Sequence, residues 1–247
     1  MRSYLMAYKY KRVLIKLSGE GLANKDKHLA IDYELVDKFA KQLQIIISNN
    51  VEVAIVVGGG NFWRGTSAAK NGIQRVRADY IGMLATTMNA LALQSGFEHN
   101  GLQSRVLSSL TMDPKVCEVY INEKAKKYLK DGEVVIFAGG TGRPFFTTDT
   151  ASTLYASEIE ADAILMGKNN VDGVYDSDPK FNDKAVKFDK LTYDELLERD
   201  LKVIDQTAAS MAKDNDIDII IFDINENDAL LRAIENKIPN TVITKTK

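Results

Sequence analysis

Five short apolar runs constrain this chain more than anything else in it: VLIKL (Val13 to Leu17), VAIVV (Val53 to Val57), VVIFA (Val134 to Ala138), AILM (Ala163 to Met166) and IIIF (Ile219 to Phe222). A strand with one wet face alternates apolar and polar residues, and these runs do not. They read as strands buried on both faces, the condition of a parallel sheet with helices on either side. The intervening segments supply the helices. From Asp32 to Asn49, the residues Leu35, Val36, Phe39, Leu43, Ile46 and Ile47 recur at helical spacing, with Lys38, Lys41 and Gln42 opposite. Asp32 is placed to cap that helix, and Glu34 sits in its first turn, where an acid suits the helix dipole. Further helical patterns cover 79–94, 150–160, 192–197 and 227–235, the last followed by a basic-tipped tail. Strands alternating with helices predict the α/β class: an open three-layer α/β sandwich around a mostly parallel central sheet. No repeat, low-complexity tract or Pro/Ser-rich linker interrupts the 247 residues, so a single domain of two lobes is expected over 1–247.

Composition removes several function classes. With 34 acidic and 32 basic residues the net charge is −2, so no dominant basic surface draws nucleic acid. An anionic partner must be held by local geometry instead. Cys117 is the only cysteine, which forbids an internal disulfide and predicts a reducing, cytoplasmic setting. The opening MRSYLMAYKYKR is broken by charges and does not read as a signal peptide, and no apolar run approaches the ~18 residues that a membrane span needs. His28 and His99 are the only imidazoles, which argues against a histidine triad or a His-rich metal site.

The informative residues follow the strands. KLSGE closes the first run, GGGNFWRG follows the second and GGTGRPFFTTD follows the third, all at strand carboxyl ends, where open α/β sheets bind ligands. Glycine lets backbone N–H groups approach an anion closely, although a strand-to-helix turn can carry glycine for packing alone. Lys16 lies within an apolar run between Ile15 and Leu17. It either snorkels from a strand edge or holds an anion, and burial in a two-faced strand favours the anion. Arg64, four residues past Gly60, is either a second fixed cation or a surface arginine. KNNVDGVYDSDP (Lys168 to Pro179) reads as two polar turns, with Tyr175 either stacking on a base or covering apolar surface. Neither G-x-x-x-x-G-K-[ST] nor a strand-following G-x-G-x-x-G occurs, which removes the P-loop kinases and disfavours dinucleotide-binding dehydrogenases.

KRVLIKLSGE, VVGGGNFWRG, RADYIGMLATTMNALAL, GGTGRPFFTTDTAS, EIEADAILMGKNNVDGVYDSDP and LKVIDQTA, in that order and from about Tyr10 to the C-terminus, resemble the bacterial uridylate kinases of the amino acid kinase family. The resemblance implies the amino acid kinase fold, with an N-terminal acceptor lobe, a C-terminal ATP lobe and phosphoryl transfer from ATP to UMP. It implies that Lys16, Leu17, Ser18 and Gly19 form part of the ATP phosphate site, and that Gly60 and Arg64 add donors to the transferred group. Asn169, Tyr175 and Asp178 would line the adenine-ribose end of ATP. Gly59 would meet the phosphate of UMP and Asp79 its ribose hydroxyls, while Thr141, Gly142, Arg143, Pro144, Phe145, Phe146, Thr147 and Thr148 wrap its uracil and phosphate. Asp149 and Asp205 match acidic positions near the reacting phosphates.

By the residues alone, Asp79 could instead be a first-turn acid of the helical pattern it opens. The resemblance further implies Mg²⁺ entering with ATP rather than in a protein cage, inhibition by UTP, and a homo-oligomer, specifically a hexamer. The apolar pattern of Ile81, Met83, Leu84, Met88 and Leu91 suits either a buried core helix or one shared between core and neighbour. Two departures stand out. Arg143 replaces the family's asparagine, and GLANKDKHLAID lacks the glycine-rich segment associated with GTP activation, so that activation is expected to be weak or missing.

Overall fold

The computed structural model describes residues 8–24, 26–65, 72–179 and 181–246, so the first seven residues of the N-terminal stretch read above lie outside it. The strands are β1 (Arg12–Leu17), β2 (Glu52–Val57), β3 (Ser104–Ser108), β4 (Glu118–Val119), β5 (Val134–Ala138), β6 (Ala163–Lys168), β7 (Val174–Tyr175), β8 (Lys187–Phe188), β9 (Lys190–Thr192), β10 (Asp218–Asp223) and β11 (Asn240–Thr244). Nine of them form one sheet in the order β4-β3-β5-β2-β1-β6-β10-β11-β9, and β7 and β8 form a separate hairpin. Every ladder of the large sheet is parallel except β10 with β11. All five runs read from the sequence are strands of this sheet.

The helices are α1 (Tyr33–Ser48), α2 (Arg75–His99), α3 (Asn122–Lys130), α4 (Thr148–Glu158), α5 (Tyr193–Glu198), α6 (Gln206–Asp214) and α7 (Ala229–Ile234). Strand alternation sorts them into two layers. Val13, Ile15 and Leu17 of β1 pack with Val36 and Phe39 of α1, Leu93 and Phe97 of α2 and Leu230 of α7. Leu14, on the other face, packs with Leu129 of α3, Ala151 and Tyr155 of α4 and Ala209 of α6. The three-layer expectation therefore holds. Because the side-chain period of a strand is two, Lys16 shares the face of Leu14 and points toward α4.

Several boundaries differ from the sequence reading. The pattern at 79–94 belongs to a helix of 25 residues that starts at Arg75, so Asp79 is its fifth residue rather than a capping acid. Met83, Ala90, Leu93 and Phe97 of α2 are buried, while Val76, Tyr80, Ile81, Leu84 and Met88 are exposed, which removes the fully buried alternative. The basic-tipped tail carries β11, whose alternating burial marks a half-covered strand. The strand order reverses at β1, which lies between β2 and β6. Open sheets of this kind form their ligand crevice there, outside the strand carboxyl ends.

Candidate active site

Lys16 does not snorkel. Its side chain is 8% exposed, and its Nζ lies 2.6 Å from Oδ1 of Asp149 in the first turn of α4. Oδ2 of the same carboxylate meets Nζ of Lys168, at the end of β6, at 3.3 Å. Ile164, Met166 and Lys168 share one face of β6 by strand period, the face on which Leu14 and Lys16 lie. Burial by itself pushes the Asp149 carboxyl up, but the ammonium groups of Lys16 and Lys168 hold it below the usual carboxylate range. Burial lowers the Lys168 ammonium, and the attraction of Asp149 only partly offsets this. Two lysines share the Asp149 carboxylate at the sheet's crevice, and the Asp205 carboxylate beside Lys168 balances the second ammonium. Sequence reading missed Lys168, although it carries the same signature as Lys16: a cation at the carboxyl end of a two-faced apolar run.

Thr147 caps α4, its Oγ1 accepting from the N–H groups of Asp149 and Thr150, both at 3.1 Å. The Thr147 hydroxyl also donates to Asp205, and Thr150 Oγ1 lies 3.0 Å from each oxygen of that carboxylate. Asp205 in turn caps α6, accepting from the Ala208 N–H at 2.8 Å. Asp205 thus ties two helix N-termini together beside Lys168. A cavity of about 510 Å³ opens on this corner, walled by Leu197, Leu201, Val203 and Ile204 and edged by Asp149, Lys168 and Asp205.

The first two glycine turns pack backbone to backbone. A Cβ on Gly19 would fall 2.5 Å from the Gly58 carbonyl oxygen and 2.7 Å from the Gly60 nitrogen, and one on Gly59 would meet Ala85 of α2 at 2.8 Å. These are the positions where no larger residue fits. Arg64 pairs with Glu20 and is 61% exposed, so it stands apart from the lysine pair, poised at the rim. Ser18 Oγ accepts from the Gly21 N–H at 3.1 Å and from Asn169 Nδ2 at 3.4 Å. Among the described residues, Oδ1 of Asn169 is buried without a partner, an open acceptor next to the Ser18–Gly21 turn.

A second cleft is bounded by Gly59, Asp79, Thr141, Arg143, Phe146, Thr147 and Thr148, with Trp63 and Met83 as apolar floor. It brings together most of the residues the resemblance implies for the acceptor. Asp79 accepts from the Phe145 N–H at 2.8 Å, and both of its oxygens receive Nε of Arg75, at 2.8 and 2.9 Å. Phe145 takes a left-handed backbone with φ of 74°, unusual for a bulky residue, and its ring is 64% exposed. Gly142, at φ of 73°, and Pro144 shape this loop. Tyr175 donates to Asp172 at 2.8 Å, and the Asp178 carbonyl accepts from Phe181 and Asn182, so both belong to the hairpin region rather than the lysine cluster.

Two lined cavities and a buried cluster holding two lysines at a parallel sheet's switch point are the parts of an enzyme that brings a phosphorylated donor to an acceptor. The sequence profile described as the amino acid kinase family matches residues 11–223, and the chain belongs to that family. It is similar to the protein named uridylate kinase of Mycoplasmopsis synoviae (strain 53), 67% identical over 96% of this chain and 99% of that one. Among solved structures it resembles the UMP kinases from Ureaplasma parvum and Bacillus anthracis. Each has a TM-score of 0.91 and 38% identity, covers 96% of this chain, and is itself covered to 100% and 97% respectively.

Proposed function

We propose that this chain transfers the γ-phosphoryl group of ATP to UMP, giving ADP and UDP on the route to UTP and CTP. The observation that carries the reading is that two clefts meet at one helix N-terminus. Thr147 and Thr148 line the Asp79 cleft, while Asp149, the next residue, lines the other cavity with Lys168 and pairs with Lys16 behind it. A donor bound along the lysines and an acceptor bound against Asp79 would present their phosphates to each other across that turn. The α4 dipole adds to the attraction there.

Phosphoryl transfer through a loose transition state asks for alignment and positive charge rather than covalent chemistry. Lys16 and Lys168 would hold the donor phosphates, and Asp149 keeps the two ammonium groups apart and oriented. Gly59 and Gly60 would offer N–H groups, with Arg64 exchanging Glu20 for the transferred group. UMP supplies its own anionic oxygen as nucleophile, so no general base is needed. Asn169 Oδ1 would take a donor hydrogen from the nucleoside of ATP, with the apolar wall of Leu197, Leu201 and Val203 beside it. Asp79 would accept from the ribose hydroxyls of UMP, and the 141–148 loop would enclose its base.

The donor set fits a Mg²⁺ that arrives on ATP. No group of three or more His, Cys, Asp or Glu side chains able to hold a metal occurs among the described residues. Asp149 is occupied by two lysines and Asp205 by two threonines and an N–H. Bound with the nucleotide, the ion would supply charge neutralisation, with phosphate and water as its main ligands.

We further propose a cytoplasmic homo-oligomer, a hexamer, with Val76, Tyr80, Ile81, Leu84 and Met88 of α2 facing a neighbouring copy. Their exposure along one helix is the supporting observation. UTP would inhibit by occupying the UMP site. No helix among the described residues is long and apolar enough to cross a membrane. The deciding test is ADP release with each nucleoside monophosphate, and with acetylglutamate and aspartate. UMP should be preferred by a wide margin, and preference for an amino acid would overturn the reading. Light scattering at micromolar concentration should return a multiple of the chain mass, and excess UMP should relieve inhibition by UTP.

A further inference from the structure

Asn89 is wholly buried in the middle of α2, where an apolar residue would be the ordinary choice. Its Nδ2 donates to the Gly58 carbonyl at 2.7 Å and to Asn61 Oδ1 at 2.8 Å, and its Oδ1 accepts from Asn61 Nδ2 at 2.9 Å. Asn61 also donates to the Ala30 carbonyl at 2.8 Å. Only one orientation of each carboxamide satisfies these bonds. Turning Asn89 would set its oxygen against the Gly58 carbonyl, and turning Asn61 would do the same at Ala30.

The pair therefore forms a reciprocal amide lock with a defined direction. It draws the Gly58 carbonyl inward, which commits the peptide groups of Gly59 and Gly60 that follow. Asn61 Oδ1 and the Gly58 oxygen also form the surface under Gly19, each 2.5 Å from where its Cβ would be. One amide pair thus holds the turn after β2, its contact with the turn after β1, and the chain before α1.

We infer that Asn89 is a positioning residue for phosphoryl transfer, acting through Asn61 and Gly58 to aim the N–H groups of Gly59 and Gly60 at the transferred phosphoryl group. The inference rests on the proposed UMP kinase reading. The two asparagines act through the backbone carbonyls they hold. Their contribution is the angle of the peptide planes, which matters most where charge develops in the transition state.

The test uses Asn89→Leu, alike in branching and heavy-atom count but larger and without donor or acceptor, and the smaller-step variants Asn89→Ser and Asn61→Ser. Each is assayed for ADP release at a temperature well below its own melting point. Wild-type turnover of UMP in the same assay checks the underlying reading separately. For Asn89→Leu, kcat is expected to fall about 10- to 100-fold, since misplacing a reactive group by an ångström has an effect of that order. KM for ATP should stay within about threefold, and KM for UMP should rise by less than kcat falls, because Asp79 and the 141–148 loop supply most of the contacts to UMP. The double variant Asn61→Ser/Asn89→Ser should lose no more kcat than the worse single, the mark of two residues acting as a unit. The inference is overturned if kcat holds within about twofold while only thermal stability drops, or if the loss lies in KM instead. Failure of all the variants to fold would overturn it too, because the pair would then serve folding alone.

Discussion

The two halves of the site are built on opposite principles. On the donor side, charge is buried and mutually neutralised: Lys16, Asp149 and Lys168 are all less than about a quarter exposed and hold one another in place. On the acceptor side only the carboxylate is covered: Asp79 is 13% exposed, its partner Arg75 is 45% exposed, and the loop Asp79 secures shows two phenylalanine rings to solvent. A preorganised cation cluster suits a step whose charge changes during reaction. A loop held by one carboxylate suits a substrate that must enter and leave. The difference teaches where each kind of mutational effect should fall: turnover on the donor side, affinity on the acceptor side.

Lys16→Met is the largest expected breach of that division. A preorganised charge aimed at a transition state supplies about 2.7–4 kcal/mol, so kcat should fall at least ~100-fold with the fold intact. Retention of more than roughly a tenth of normal turnover would remove Lys16 from the role given to it.

Asp79→Asn tests the acceptor side. Hydrogen bonds to a charged acceptor contribute about 1.5–3 kcal/mol, so KM for UMP should rise roughly 10- to 100-fold, with kcat and KM for ATP almost unmoved. The remaining amide oxygen can still receive the Phe145 N–H, which keeps the loop tethered. dUMP should lose much of its disadvantage against UMP. An equal loss with dUMP and UMP would mean that Asp79 serves only to hold Arg75 and Phe145.

A subtler expectation concerns pH. Since burial lowers Lys168, the alkaline limb of kcat should lie below the value of an ordinary lysine, about 10.4. Lys168→Arg keeps its charge at any such pH, so whatever activity it retains should show that limb displaced upward. An unchanged limb would assign the titration elsewhere. The depressed Asp149 acts at the other extreme. Its stabilising contribution is complete above the unfolded carboxylate value, about 3.9, and is lost as pH falls through the lower folded value.

The smallest effect should come from the seam between the halves. Thr147→Ala removes the α4 cap and the hydroxyl given to Asp205, and should lower stability by about 1 kcal/mol, measured by denaturant unfolding. A much larger loss would show that Asp205, left with a single threonine, carries more of the fold than its two caps suggest.

Read from the chain alone, the sheet's centre was legible because strands buried on both faces must be apolar throughout. The three glycine turns, the Asp32 cap and the lysine of VLIKL were legible for equally local reasons. Other elements left no such mark. β4 is two residues long, and α3 is mostly charged, with only Ala125 and Leu129 buried among its nine residues, a stripe too short to stand out. The start of α2 at Arg75 was hidden because its Gln74 cap makes no side-chain bond. Arg75 and Asp79 pair at i,i+4 along α2, but Phe145 reaches that carboxylate only because α2 runs beside the loop after β5, which no spacing along the chain encodes.

What the sequence by itself determined is the alternation of layers and the crevice at which ligands gather, since hydrophobic pattern and turn chemistry are local properties. Only the tertiary structure decided which groups share a carboxylate, which asparagines lock a turn and which face of α2 is left uncovered. Those depend on strand order and helix crossing, where residues as distant in the chain as Lys16 and Asp149 are brought to 2.6 Å, and where burial sets the strength of every charge.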